Sequence, residues 1–146
     1  MQQPIVISGA GILGCYISCA LSLQGIDSIV LEKKDDEVED SVRTITLNPF
    51  SKNLLDKIGI ENDYSMINKM EVKDFDGTGK IVFKSREIGM DHLAYVSDFA
   101  TLLMAVRKKA SEKILYKEEI IDIDNKGDLN EVTLSSGKVI KTNLII

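Results

Sequence analysis

The sequence predicts an α/β fold that opens with a βαβ unit and continues with a β-hairpin and an antiparallel meander. The first observation is a pair of short apolar runs, residues 4–8 and 28–31, of the kind that form buried parallel strands. The second is the helical spacing of apolar residues between these runs, which ends at Gly25. The third is a series of short alternating segments towards the carboxyl terminus, separated by turn residues.

Length and charge narrow the classes of protein to which the chain can belong. The 146 residues suffice for one domain, and 18 Lys and Arg against 23 Asp and Glu give a net charge of −5. No basic stripe typical of nucleic-acid binding is visible, and no apolar run reaches the roughly 20 residues that cross a bilayer. Two cysteines, Cys15 and Cys19, stand four apart, which fits one helix and a reduced, cytoplasmic setting without a bound metal.

Local signals place the elements in the middle of the chain. Asn48 and Pro49 are typical of a helix start, and Gly59 of its end. Alternation on both sides of the turn at residues 76–79 predicts a β-hairpin insertion. Ser97 is predicted to cap a third helix, whose last turn is basic.

The last third of the chain predicts strands. A short strand and then a three-stranded meander are expected over residues 114–116, 120–124, 131–134 and 139–141. The sequence stops on the apolar residues 144–146, which predict one more buried strand, interrupted in its middle. We therefore expect residues 1–146 to be one domain, incomplete at its carboxyl terminus, from a longer protein.

The strongest functional signal is the pattern Gly9-x-Gly11-x-x-Gly14 between the first strand and the first helix. The first glycine permits a tight turn, the second lets the backbone approach a pyrophosphate, and the third lets the helix pack closely on the strand. The free N–H groups at the start of the helix attract phosphate. Glu32 ends the next strand, 18 residues after Gly14, where a carboxylate can accept hydrogen bonds from both hydroxyls of an adenosine ribose. This Rossmann-like arrangement predicts a dinucleotide site, and the alternative is a glycine-rich turn that binds nothing.

The glycine pattern alone does not separate NAD from FAD. A simple NAD domain continues with alternating βα units, whereas a meander before the last parallel strand is more typical of the FAD domain of flavoprotein oxidoreductases. An NAD(P)-dependent dehydrogenase or reductase domain is the first alternative that stays open. A truncated, non-catalytic fragment is the second.

Several segments carry a family resemblance by their order and spacing. They are the glycine pattern, Glu32, residues 41–47 around Arg43, and residues 54–60, 93–96 and 132–137. Over almost its whole length the chain resembles the amino-terminal third of the FAD-dependent aromatic hydroxylases, most of all the ubiquinone-biosynthesis hydroxylases. The resemblance implies a monooxygenase that binds FAD, takes electrons from NAD(P)H and uses O₂ to hydroxylate an aromatic ring of a ubiquinone precursor.

The resemblance also assigns residues to the cofactor. With the glycine pattern, the predicted cofactor-binding residues are Gly9, Gly11, Gly14, Glu32, Lys33, Arg43 and Ile120. Arg43 matches the family arginine that reaches FAD, and Ile120 the position that touches adenine through its backbone. Lys33, which follows the acidic residue, either borders the adenosine or is simply solvated.

The chain departs from the family in two places. The family has an arginine or another polar residue close after Val96 that contacts FAD, and here residues 98–100 are Asp-Phe-Ala. The family's later FAD motifs and its substrate domain lie beyond Ile146, so no catalytic residue is named and we expect the chain alone to be inactive. The implied partner is a small aromatic molecule, prenylated or not, and nucleic acid is not expected. Two locations stay open: the cytoplasm, or the inner face of a membrane through peripheral binding or a biosynthetic complex.

Overall fold

The protein is α/β and divides into two compact units. A computed structural model describes residues 3–38 and 42–146. Met1–Asp40 with Leu102–Ile146 form the first unit, here named the glycine-loop unit. Ser41–Thr101 form the second, here named the hairpin unit.

Three α-helices are separated by runs of two to four strands among the described residues. The helices of the described residues are α1 (Ile12–Leu23), α2 (Pro49–Lys57) and α3 (Phe99–Lys109). The strands are β1 (Ile5–Ser8), β2 (Ser28–Glu32), β3 (Thr44–Leu47), β4 (Ser65–Ile67), β5 (Lys69–Lys73), β6 (Lys80–Lys84), β7 (Ala94–Asp98), β8 (Ile114–Tyr116), β9 (Ile120–Asn125), β10 (Asn130–Leu134) and β11 (Val139–Thr142). Within the described ranges, no helix has the length and apolar character needed to cross a membrane.

The glycine-loop unit is built on a parallel sheet in the order β1-β2-β8. The predicted βαβ unit, in which α1 connects β1 to β2, is confirmed. Residues 144–146 run along the other side of β1. The Val6 N–H donates to the Leu144 carbonyl at 3.1 Å, and the Ile146 N–H donates to the Val6 carbonyl at 2.9 Å.

The order of these strands creates a switch point at β1. The chain continues from β1 to β2 on one side, whereas residues 144–146 pair with it on the other. In open α/β sheets, ligands bind outside the carboxyl ends of the strands at such a point. The glycine loop follows the carboxyl end of β1 and therefore lies at this position. The last segment is buried only in part: Ile145 packs against the core cluster, whereas Leu144 and Ile146 are 49% and 46% exposed.

The two faces of the parallel sheet are covered by different elements. The meander, in the order β11-β10-β9, packs on one face. The buried cluster between them consists of Val6, Leu31, Val132, Leu134 and Ile140. Successive strand residues point to opposite faces, so Ile7 faces α1, where its side chain lies beside Gly14. The apolar runs of β1 and β2 are explained by this burial on both faces.

The hairpin unit contains a sheet in the order β3-β7-β4 and a separate β5-β6 hairpin. Its predicted elements are confirmed. The hairpin turn closes with a bond from the Asp74 N–H to the Gly79 carbonyl at 3.0 Å. α2 starts as expected, since Asn48 Oδ1 accepts from the Ser51 N–H at 2.7 Å and Pro49 occupies the first turn.

The start of α3 corrects one prediction. Ser97 is not its cap but a buried residue of β7, whose Oγ accepts from Asn62 Nδ2 at 2.6 Å. Asp98 takes the capping role, because its Oδ1 accepts from the Thr101 N–H at 2.7 Å. This hydrogen bond lowers the pKa of the Asp98 carboxyl group. A carboxylate suits the position because the amino-terminal end of a helix carries partial positive charge.

Candidate functional site

The glycine loop turns sharply at Gly9, directly after β1. Gly9 has a φ of +104°, a backbone conformation that strongly favours glycine. Its N–H donates to the Leu31 carbonyl at 2.7 Å. At Gly14, a Cβ atom would overlap the carbonyl oxygen of Gly9. The fold of the loop itself therefore requires glycine at these two positions.

Gly11 differs from the other two glycines of the pattern. Its φ of −76° and ψ of 179° are open to any residue. A Cβ atom at Gly11 would meet no atom within 4 Å. The packing of this chain gives no reason for glycine here, whereas close approach of a pyrophosphate to the backbone does.

The start of α1 has the electrostatic character of an anion site. Gly11 provides no side-chain cap, and the first turn contains no acidic residue. The first N–H groups of a helix lack intrahelical partners, and the helix dipole adds partial positive charge at this end. With the space beside Gly11, these N–H groups fit the pyrophosphate of a dinucleotide such as FAD.

Glu32 ends β2 with its carboxylate turned towards the loop. Oε2 accepts from the Ala10 N–H at 3.1 Å and from Arg107 Nη2 at 3.3 Å. Oε1 accepts from the Lys34 N–H at 3.0 Å. A carboxylate offers about four acceptor directions, so the bonds among the described residues leave about one, on Oε1, for a ligand hydroxyl. The contact of Glu32 with the ribose hydroxyls stays a prediction.

Arg107 is a residue of this cluster that sequence reasoning missed. Near the end of α3, its Nε donates to the Ala10 carbonyl at 2.8 Å, and its guanidinium carbon lies 5.8 Å from the centroid of the Tyr116 ring. Only 11% of its side chain is exposed. In the sequence it is one of three basic residues at a helix end, and nothing local indicates an acidic partner 75 residues away.

Two cysteines lie in α1, the helix that follows the glycine loop. Cys15 and Cys19 are both free and buried. Burial raises the pKa of Cys15 to about 11, against an opposing effect of the Arg107 charge, and burial also raises the pKa of Cys19. Both thiols are therefore protonated near neutral pH and are poor nucleophiles.

The structure brings Gly9, Gly11, Gly14 and Glu32 together, and places the other predicted residues as follows. Lys33 is exposed beside Glu32. Ile120 begins β9 and packs, partly buried, against the core cluster of the glycine-loop unit. Arg43 belongs to the hairpin unit, where its guanidinium carbon lies 4.4 Å from the centroid of the Phe99 ring. The contacts of these three residues with FAD stay predictions.

Among the described residues, no group of three or more His, Cys, Asp or Glu side chains is placed to hold a metal ion.

Comparison with known proteins identifies relatives of this chain. The mitochondrial ubiquinone biosynthesis monooxygenase COQ6 of Danio rerio is 25% identical over 97% of this chain and 35% of its own length. The chain thus spans about a third of the length of this curated relative.

Two solved structures share the fold. The 2,6-dihydroxypyridine-3-hydroxylase of Arthrobacter nicotinovorans superposes with a TM-score of 0.75 at 15% identity, over 99% of this chain and 36% of that one. HpxO of Klebsiella pneumoniae, complexed with FAD and uric acid, superposes with a TM-score of 0.74 at 19% identity, over 97% of this chain and 38% of that one.

A family match covers most of the sequence. Residues 2–128 match the family described as FAD binding domain. This range includes the glycine loop, Glu32 and Arg107, which the structure gathers in one unit. The chain belongs to this family of FAD-binding domains, in agreement with its resemblance to the FAD-dependent aromatic hydroxylases.

Proposed function

We propose that this chain is the FAD-binding portion of a flavin-dependent monooxygenase that hydroxylates an aromatic ring of a ubiquinone precursor. The observation that carries the proposal is the open backbone at Gly11, set between two glycines that the loop itself requires. The relationship to a ubiquinone biosynthesis monooxygenase over nearly the whole chain supports the substrate class.

In this proposal, the chain holds the adenosine diphosphate part of FAD. The backbone at Gly11 and the N–H groups that begin α1 receive the pyrophosphate. Glu32 Oε1 accepts a hydrogen bond from a ribose hydroxyl, while Lys33 and the backbone of Ile120 border the adenosine. Arg43 keeps the contact with FAD that the family resemblance assigns to it.

The rest of the proposed activity belongs to the whole protein. Once bound, FAD would supply electron transfer from NAD(P)H and the activation of O₂. The relatives are about three times as long as this chain. We propose that the aromatic-substrate site lies in a part of the whole protein that corresponds to their additional sequence. We expect the 146 residues alone to show no hydroxylation. A prenylated substrate would bring the whole protein to a membrane surface, alone or in a biosynthetic complex.

Substitution of Gly11 by aspartate tests the cofactor assignment. The new side chain would block the approach of the pyrophosphate, and its charge would oppose the phosphates. Like charges in contact cost several kcal/mol, so we expect the affinity for ADP to fall by roughly a hundredfold or more. Titration of the ¹⁵N-labelled chain with ADP, followed through the amide signals of the loop, measures this affinity.

The control is Gly77→Asp, which adds the same charge in the exposed hairpin turn and should leave ADP affinity unchanged. Gly11→Asp should also leave the unfolding free energy within about 0.5 kcal/mol of the original, because a Cβ there meets no neighbouring atom. If Gly11→Asp bound ADP as well as the unsubstituted chain, the assignment of this loop to the cofactor would be wrong.

A further inference from the structure

Two side chains from distant parts of the sequence hold both backbone groups of Ala10. The Ala10 N–H donates to Glu32 Oε2 at 3.1 Å, and the Ala10 carbonyl accepts from Arg107 Nε at 2.8 Å. The two side chains also meet each other, with 3.3 Å between Arg107 Nη2 and Glu32 Oε2. We name this arrangement of Ala10, Glu32 and Arg107 the Ala10 clamp.

The clamp acts on a segment whose unfolded backbone has much conformational freedom, because Ala10 lies between two glycines. Ordering one backbone residue costs about 1–2 kcal/mol of conformational entropy, and glycine loses the most. Ala10 stands between Gly9 and Gly11, so its neighbours offer little conformational restriction of their own. Hydrogen bonds with charged partners are stronger than those between neutral groups, and here one anchors each side of Ala10.

Burial indicates that the ion pair serves geometry rather than stability. The Glu32 and Arg107 side chains are 12% and 11% exposed. A buried ion pair gains little net stability, because the loss of hydration offsets much of the attraction. The main consequence of the ion pair is that it fixes the orientation of both side chains, because neither charged group can be buried without its partner.

The orientation matters most for Glu32. Arg107 and Ala10 occupy Oε2, while Oε1 has a donor only from the Lys34 N–H among the bonds within the described chain. A carboxylate held by one oxygen cannot rotate freely, so the remaining acceptor direction of Oε1 is fixed. Without Arg107, Oε2 would keep only the Ala10 N–H as a donor, so the carboxylate would be held less firmly, and the Ala10 carbonyl would lose its donor.

We propose that Arg107 is a positioning residue for ribose recognition, which fixes Glu32 and the Ala10 carbonyl so that Oε1 is presented to a ribose hydroxyl. Arg107 itself does not touch the nucleotide. The inference rests on the proposed function, and adds to it a residue outside the glycine pattern that sets how the ribose is recognised.

The test compares ADP with 2′,3′-dideoxy-ADP, which lacks both ribose hydroxyls. Amide titrations of the ¹⁵N-labelled 146-residue chain give the ratio of the two affinities. A hydrogen bond to a charged acceptor predicts that the original chain prefers ADP by roughly tenfold or more. In Arg107→Gln we expect this ratio to fall to within about threefold of one, since the arginine works through Glu32.

Matched variants separate positioning from general structure. Lys108→Gln removes the same charge from the next, exposed residue and should keep the original ratio. A Glu32→Gln and Arg107→Gln double variant should have the same ratio as Glu32→Gln alone. If Arg107→Gln fails to fold, Arg107→Lys is measured instead, because it keeps the charge but loses the guanidinium fork, and its ratio should also fall.

Three outcomes would overturn the proposal. A variant at position 107 that weakens both nucleotides equally and keeps the original ratio would show a purely structural role. Additive losses in the double variant would show that Arg107 contacts the nucleotide directly. An original chain that does not distinguish the two nucleotides would remove Glu32 from ribose recognition, and Arg107 with it. Failure of the proposed function looks different, because the original chain would then bind neither nucleotide.

Discussion

The chain contains two glycine-rich turns of similar length that are built in opposite ways. The glycine loop, residues 9–14, has a positive φ at its first glycine, no room for a Cβ at its last, and a fully buried Ala10 between them. In the hairpin turn, residues 74–79, every residue is exposed. The nearest atoms that a Cβ on Gly77 would meet belong to the side chain of Asp74.

This contrast shows two ways in which a glycine-rich turn can be held in place. Both contain glycine because the chain must turn within a few residues. The hairpin turn is held by its own backbone, through the bond between Asp74 and Gly79. The glycine loop is held from outside by Glu32 and Arg107, which come from other elements of the same unit. In the proposed function, this support of Ala10 would hold the loop that leads into α1 in place for the pyrophosphate.

The largest loss of stability is expected for Gly14→Ala, which tests the close packing of the glycine loop. The new methyl group would overlap a backbone carbonyl oxygen, which cannot rotate away as a side chain can. Overpacking of this kind costs about 3 kcal/mol or more at the severe end of its range. Urea unfolding followed through the amide signals of β1 and β2 measures the loss. Leu13→Ala is the control, since Leu13 is 69% exposed in the same turn of α1. A loss below about 1 kcal/mol for Gly14→Ala would show that α1 and the loop can separate easily.

An intermediate effect is expected for Glu32→Ala, which removes one side of the external support. The substitution leaves the Ala10 N–H and the Arg107 guanidinium without their acceptor in a mostly buried place. Loss of a hydrogen bond to a charged group costs about 1.5–3 kcal/mol. We therefore expect lower stability as well as weaker ADP binding, although the sequence alone suggests an effect on binding only.

The measurement for Glu32→Ala is again urea unfolding, combined with hydrogen exchange at the Ala10 amide. That amide should exchange faster once its acceptor is gone. Glu37→Ala, in the exposed loop after β2, loses the same charge and should change neither quantity. An unchanged unfolding free energy in Glu32→Ala would mean that the loop does not depend on external support.

These comparisons also show which parts of the molecule are predictable from sequence. The βαβ unit, the hairpin and the meander are confirmed, because their periodicity and turn residues are local properties of the chain. The glycine pattern is predictable for the same reason, since turn, close packing and phosphate approach each require glycine at a fixed spacing.

The external support of the loop could not be predicted in this way. Arg107 reaches Glu32 across 75 residues and Ala10 across 97, and a basic residue at a helix end has an adequate local explanation without them. The prediction that Ser97 caps α3 is wrong for a more local reason. Ser97 and Asp98 are adjacent good capping residues, and only the extent of β7 decides between them.

The smallest change in stability is expected for Gly77→Ala, which tests the exposed hairpin turn. The methyl group would meet the end of the Asp74 side chain, and that side chain is exposed and can turn into solvent. The backbone bond from the Asp74 N–H to Gly79 does not involve Gly77, so the turn keeps its closure. Alanine also restricts the unfolded chain, which offsets part of any strain. We expect the unfolding free energy, measured through the amide signals of β5 and β6, to change by no more than about 0.5 kcal/mol, with ADP affinity unchanged.

Gly79→Ala is the matched control, because its nearest contact would be an ordinary 3.6 Å. If Gly77→Ala cost as much as Gly14→Ala, glycine content rather than external support would set how strongly these turns resist substitution.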